Sequence, residues 1–268
     1  REESVKHFRL GPGRYQAVVY AEPVHYKEEG SSAWKEIDNN LDDGTNEAGQ
    51  PILRNRANKL RVELSKSADS GKLARIEEGG HVLEWSLDGA PAAVAPVVRQ
   101  GAAIKQARLV DRAQATPLFV GRTRASLEAA DLSVLETEAE KRGDLTEKMD
   151  SDATYANVLP GLSVRYTLHG QLLKEDLILA NAAALSYAAL RLPDTYNYAV
   201  QENNSLSVRD KETGEEYFVF DPPLVYDAQG NETVATVALT PVSDGVRMSY
   251  ALDEAFLAQA VFPVTIDP

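Results

Sequence analysis

Short segments in which apolar and polar residues alternate, each closed by Gly, Pro, Asn or Asp, recur along most of this chain and limit its fold more than any other feature. They are densest after Tyr155. Leu162–Tyr166 and Lys174–Leu179 flank a turn at Gly170, and strand-like runs follow at 185–192, 206–208, 217–220, 234–239, 246–252 and 261–266. Asp210–Gly214, Asp227–Asn231 and Ser243–Gly245 supply the turns between them. Many short strands with turns roughly ten residues apart predict an all-β, antiparallel, sandwich-like architecture.

The N-terminal part reads the same way. Tyr15 to Tyr26 (YQAVVYAEPVHY) is rich in β-branched and aromatic residues, and Pro23 splits it into two short strands or one bent edge strand. A turn at 27–32 leads back through Trp34–Ile37, which predicts a hairpin. A polar loop is expected over 38–50, then a meander through 60–64, 73–76 and 82–87, with Gly71, Gly79, Gly80 and Gly89 as punctuation. Between 90 and 152 the texture changes. Ala125–Met149 is rich in Glu, Ala and Leu and predicts a short amphipathic helix or an ordered acidic loop, with Gly143 as its stop. The organisation expected is an N-terminal β domain (1–95), a partly helical or irregular acidic connector (96–152) and a C-terminal β-sandwich-like domain (153–268). Asp253–Leu257 predicts one helical turn, and no fixed repeat period suggests a solenoid.

Composition narrows the function classes. With 268 residues, 43% of them hydrophobic, the chain can bury a sizeable core. A net charge of −13 argues against a nucleic-acid partner, which needs clustered basic side chains. The absence of Cys removes disulfides and thiolate chemistry, and no apolar run approaches the roughly 20 residues of a membrane span, so membrane insertion is not expected. The opening Arg1-Glu-Glu, without a signal-peptide pattern, suggests a fragment of a longer polypeptide. The closing strand (VFPVTIDP) suggests that more protein follows. Both Trp34 and Trp85 sit in strand-like segments and are expected to be buried.

Motifs for chemistry are sparse. Asp38, Asn40 and Asp42 match the first, third and fifth ligand positions of a calcium loop, but Asp43 stands where the sharp turn needs Gly, and Gly49 stands where a bidentate Glu belongs. A solvated loop with Asx turns explains them better. His7, His25, His81 and His169 lack metal-site spacing, and no GxSxG, GxGxxG or GxxxxGK[ST] sequence is present. No catalytic residue and no cofactor is therefore assigned. Two facing carboxylates of a carbohydrate-active enzyme remain one alternative, because among 41 acidic residues such a pair carries no local signature. A carbohydrate-binding module is the other: Tyr26, Trp34, Tyr196 and Tyr198 could stack on sugar rings if they shared a solvent-facing row, whereas period-two spacing more often marks core or cross-strand pairs.

Three stretches together resemble a module of large bacterial wall-associated proteins of the RHS/YD-repeat group. They are FRL, YQAVVY, PVHY and WKEIDN between Phe8 and Asn39; YANVLPGLSVRY and LKEDLIL between Tyr155 and Leu179; and VFPVTIDP from Val261 to Pro268. Residues 90 to 152 contribute nothing to the resemblance. Such proteins continue into DNRLRE-type β modules and YD repeats, and some end in a toxin. The resemblance implies an extracellular or cell-wall location and a non-catalytic structural or adhesive role. Its implied partners are downstream domains of the same polypeptide and a cell-wall or host glycan. Tyr226–Asn231 (YDAQGN) also resembles the core of one YD repeat, although a plain hairpin turn accounts for it.

Overall fold

The computed structural model describes residues 2–12, 14–20, 22–101 and 147–268. Two hairpins come first: β1 (Val5–Gly11) with β2 (Arg14–Val19), and β3 (His25–Lys27) with β4 (Trp34–Glu36). A meander follows through β5 (Asp38–Thr45), β6 (Pro51–Ala57), β7 (Arg61–Ser65), β8 (Ala74–Glu78) and β9 (His81–Leu87). A second meander runs through β10 (Val97–Gln100), β11 (Asp150–Leu159), β12 (Leu162–His169) and β13 (Leu172–Leu179). Next come β14 (Ala189–Pro193) and a three-stranded sheet of β15 (Tyr196–Val200), β16 (Leu206–Asp210) and β17 (Glu216–Phe220). The chain ends with β18 (Leu224–Tyr226), β19 (Glu232–Val234), β20 (Thr236–Val242), β21 (Gly245–Ala251), the short helix α1 (Glu254–Gln259) and β22 (Val264–Asp267).

Two large antiparallel sheets dominate this all-β fold. One has the order β10-β11-β12-β13-β22-β18-β19, the other β20-β21-β14-β9-β8-β7-β6-β5. Alternation along each strand turns one set of side chains inward. Leu53, Leu64, Ala74 and Trp85 form one buried cross-strand row of the eight-stranded sheet, opposite Tyr155, Tyr166, Leu177 and Ile266 of the seven-stranded sheet. The eight-stranded sheet takes strands from both sides of residues 102–146. Its joint is the pairing of β9 with β14, Leu87 with Leu190 and Ser86 with Arg191, and it extends to a bond from the Asp88 amide to the Ala189 carbonyl at 2.8 Å. Asp88 then accepts from Arg191 at 2.7 Å and from Arg247 of β21 at 2.6 Å. Burial works to raise the Asp88 carboxyl, and the two guanidinium groups outweigh it and hold it below the usual range. At the next joint, Gly245 is obligatory: its φ is +151°, and a Cβ there would lie 1.9 Å from the Leu192 carbonyl oxygen.

Several local expectations need correction. Residues 38–45 are strand β5, not loop, because Asn39 and Leu41 turn inward while Asp38, Asn40 and Asp42, which alternate with them, are less buried. Leu185–Tyr187 belong to a 3-10 turn over Ala182–Tyr187, nucleated by Asn181, whose side chain accepts from the Ala184 amide at 3.2 Å. The terminal strand begins at Val264, after the cis Phe262–Pro263 bond. Strand β10 and the first residues of β11 fall in the segment read as a connector. Most of the expected connector helix lies outside the described residues; Glu147–Met149 form a 3-10 turn. Trp85 is buried, as expected. Trp34 is only half-buried, with the Lys27 ammonium 4.4 Å from the centre of its ring. The helical turn near Phe256 is α1, capped by Asp253, which accepts from the Ala255 amide at 2.6 Å and the Phe256 amide at 3.2 Å.

Where β5 and β6 meet the β12–β13 turn, the interior is polar. The Asn39 amide donates to the carbonyls of Met149 and Gly170, both at 2.8 Å, and its oxygen accepts from Asn58 at 2.8 Å and Asn55 at 3.3 Å. Asn58 also donates to Gly170 at 2.7 Å, and Ser151 to the Asn39 carbonyl at 2.7 Å. Each of these groups is buried, so removing the hub leaves its neighbours without partners. Asn39→Ala is expected to lower unfolding free energy by about 2–4 kcal/mol, measured by urea denaturation. An unchanged midpoint would mean that water replaces the amide.

Candidate functional site

A concavity of about 1140 Å³ lies on the outward face of the eight-stranded sheet. It covers β6 to β9, with Tyr26 and Lys27 of β3 on one side. Pairing register writes its floor. Asp42 sits opposite Arg54, Arg54 opposite Glu63, Glu63 opposite Arg75, and Arg75 opposite Glu84, so one row crosses β5 to β9 with charge alternating at every strand. Arg54 donates to Glu63 at 2.6 and 2.9 Å, Arg75 to Glu77 at 2.9 Å, and Lys72 pairs with Glu84. A neighbouring row sets Arg61 opposite Glu77. Opposite charges directly across strands stabilise the sheet and fix its register, because a one-residue slip would bring these side chains onto the core face.

Most polar side chains in this groove already hold one another. Asn58, among the lining residues, keeps one buried polar atom without a bond: its amide nitrogen serves Asn39 and Gly170, and its oxygen accepts nothing. Balanced pairing gives a face with little net field, suited to a neutral or zwitterionic chain surface and poorly suited to a polyanion.

The calcium-pattern residues lie on the rim of this face. Asp42 is bound by Arg56 at 2.7 and 2.8 Å, and that hydrogen-bonded guanidinium holds its carboxyl below the usual range. Asp38 accepts from the Asn40 amide at 3.1 Å, with Arg56 at 4.0 Å. Strand geometry thus puts Asp38, Asn40 and Asp42 on one side of β5 beside a cation. Among the described residues no group of three or more His, Cys, Asp or Glu side chains could hold a metal ion.

The four aromatic residues considered for sugar stacking fall in two places. Tyr26, 6% exposed, and Trp34 belong to the β3–β4 hairpin; Tyr196 and Tyr198 belong to β15. The Tyr196 hydroxyl donates to the Val82 carbonyl at 2.9 Å, and the Tyr198 hydroxyl to Pro193 at 2.8 Å. Burial raises the phenols of Tyr26, Tyr196 and Tyr198, which keeps them neutral donors. The histidines are likewise dispersed. His81 stacks on Tyr217 with ring centres 3.4 Å apart, His25 bonds the Glu2 carbonyl at 2.7 Å, and His169 lies between Asp150 and Glu22, the latter at 2.8 Å. Sequence reasoning missed the charged row, because each member alone is an ordinary outward residue of a strand.

Comparison with known proteins gives four significant similarities. The chain is 24% identical over its whole length to "tRNA nuclease WapA" of Bacillus subtilis (strain 168), and 23% identical to "tRNA3(Ser)-specific nuclease WapA" of Bacillus spizizenii. In both cases it spans only 10% of the relative. It is also 21% identical to "Wall-associated protein" of Geobacillus stearothermophilus, covering 87% of this chain and 74% of that protein. No family model matches the chain, and no solved structure matches it. These similarities support a module of a wall-associated type of protein. They also correct the expectation of a non-catalytic chain: three relatives that align with all of it are named as tRNA nucleases.

The charged row has a measurable consequence. Arg75→Glu would place like charge beside Glu63, Glu77 and Glu84, and is expected to destabilise the protein by about 1–2 kcal/mol in dilute buffer. About 1 M salt should remove most of that difference in a urea titration. A loss that salt does not change would trace to packing of the arginine stem instead.

Proposed function

We propose that this chain is a structural module of a larger extracellular or wall-associated polypeptide of the RHS/YD-repeat type, and that it holds neighbouring parts of that polypeptide on a stiff antiparallel body. The observation that carries this reading is the alignment of the entire chain with a tenth of much longer relatives, beside a wall-associated relative of which it covers most. The fold agrees with it: two facing sheets share one continuous core from Leu41 to Ile266. An adhesive contact with a glycan of the wall would use the groove over β6 to β9, whose lining includes exposed charged side chains such as Arg54, Arg56 and Arg61. A second reading concerns the whole polypeptide. The nuclease names cover every residue of this chain, which favours a parent protein that acts on tRNA.

Cells producing the complete polypeptide, with and without residues 1–268, test the first reading by fractionation. Deletion is expected to shift the protein from the wall fraction to the medium; an unchanged distribution would overturn the role proposed. Incubating tRNA with the complete polypeptide and with the module alone addresses the second. Cleavage by the complete protein supports it, cleavage by the module would relocate the chemistry to this chain, and no cleavage by either removes it.

A further inference from the structure

Glu175 stands in the middle of β13, on the face turned toward the eight-stranded sheet, with 4% of its surface exposed. One carboxyl oxygen accepts from the Trp85 indole at 3.0 Å and from the Tyr166 hydroxyl; the other is buried and accepts nothing. The groups around it are all accounted for. β9 contributes Trp85, β12 contributes Tyr166, and Tyr155 of β11 meets Tyr166 edge-on with ring centres 6.2 Å apart. β21 contributes Tyr250, whose hydroxyl is also buried without a hydrogen-bond partner; burial first, and then the Glu175 charge, push that phenol well above its ordinary range. Phe220 of β17 closes on the far side of Trp85 at 5.9 Å. On β13 itself Asp176 faces the other way, toward Arg165 at 2.6 Å and Lys174 at 3.4 Å. No Arg, Lys or His among the described residues bonds to Glu175.

A carboxylate in such a place has a charge with no counter-charge and an oxygen with no donor. A neutral carboxylic acid has no charge to compensate and keeps the two bonds it accepts, at the smaller cost of an O–H group without an acceptor. We propose that Glu175 is a proton-operated lock between the two sheets: protonated, it lets Trp85 and Tyr166 close over β13, and deprotonated, it loosens that contact. Burial pushes the carboxyl up to about 7, against the bonds from Tyr166 and Trp85, and Asp176 adds to the rise. The folded protein therefore holds a proton that the unfolded chain, with its ordinary value of 4.5, has already lost. The stabilisation is complete below that ordinary value, declines as pH rises through about 7, and is gone above it. The module is stiffest where protons are plentiful.

Trp85 reports on the lock directly. With Trp34→Phe it becomes the sole tryptophan, and its emission is followed from about pH 5 to about pH 9 alongside thermal melting. The emission is expected to change with a single midpoint near 7, while the ratio of folded to unfolded protein falls roughly a hundredfold. Glu175→Gln, which keeps an oxygen to accept both bonds, should flatten both curves. A Trp85 signal that does not change with pH, or that changes equally in Glu175→Gln, would overturn the proposal. If that variant does not fold, infrared spectroscopy of the parent protein decides. A neutral-carboxyl band that disappears with the Trp85 midpoint upholds the lock, and its absence at about pH 5 refutes it.

Discussion

The short pairing between β9 and β14 is the constraint on which the rest of the structure depends. Only there do the strands formed by residues 38–87 join those formed by residues 189–251 in one sheet. Two cross-strand pairs would be a weak joint alone. Asp88 extends it, since its amide continues the ladder and its carboxyl binds arginines from β14 and β21 together. A partly buried carboxylate held by two guanidinium groups is costly to break from either side, because the remaining charges lose their partners. With that joint made, the inward rows of both sheets face each other and the core becomes continuous.

Polar groups then decide how the sheets sit. Asn39, with Asn55 and Asn58, ties the outer strands of one sheet to the β12–β13 turn of the other through bonds that no apolar residue could replace. At the centre, Trp85 bridges the sheets through Tyr166 and Glu175. Asp227 organises the β18–β19 turn and also accepts from the Val261 amide at 3.0 Å, fixing the approach to β22. That amide bond, followed by the Asn231 side chain and turn amides, lowers its carboxyl strongly. Asp227 lies in the stretch that resembles a YD repeat, and in this fold the stretch is a hairpin turn.

Strands with one buried face were legible from sequence. Leu162, Val164, Tyr166 and Leu168 alternate inward without exception along β12, and the Gly170 turn lies at its end. β5 was not legible: its inward positions include an asparagine, its outward ones are Asp and Asn, and polarity on both faces mimics a loop. β10 was missed because four residues carry too little pattern. The β9–β14 joint was beyond reach for another reason: partners about a hundred residues apart leave no mark in either local sequence. The same holds for the charged row and for Glu175. Arg54, Glu63, Arg75 and Glu84 become one feature only through register, and Glu175, which alternation sets on the face of Leu173, Leu177 and Leu179, shows its partners only once β9 and β12 are placed against it.

The architecture and the relatives agree on a body that belongs to something larger, and strands from both sides of residues 102–146 share one sheet and one core, from which a single cooperative unit is expected. Native-state hydrogen exchange on Asp88→Asn tests that most directly. Amides of β5 to β9 and of β11 to β13 are expected to lose protection by the same amount, as parts of one cooperative unit. If β5 to β9 lose protection while β11 to β13 keep theirs, the two meanders are separate units and the joint is incidental.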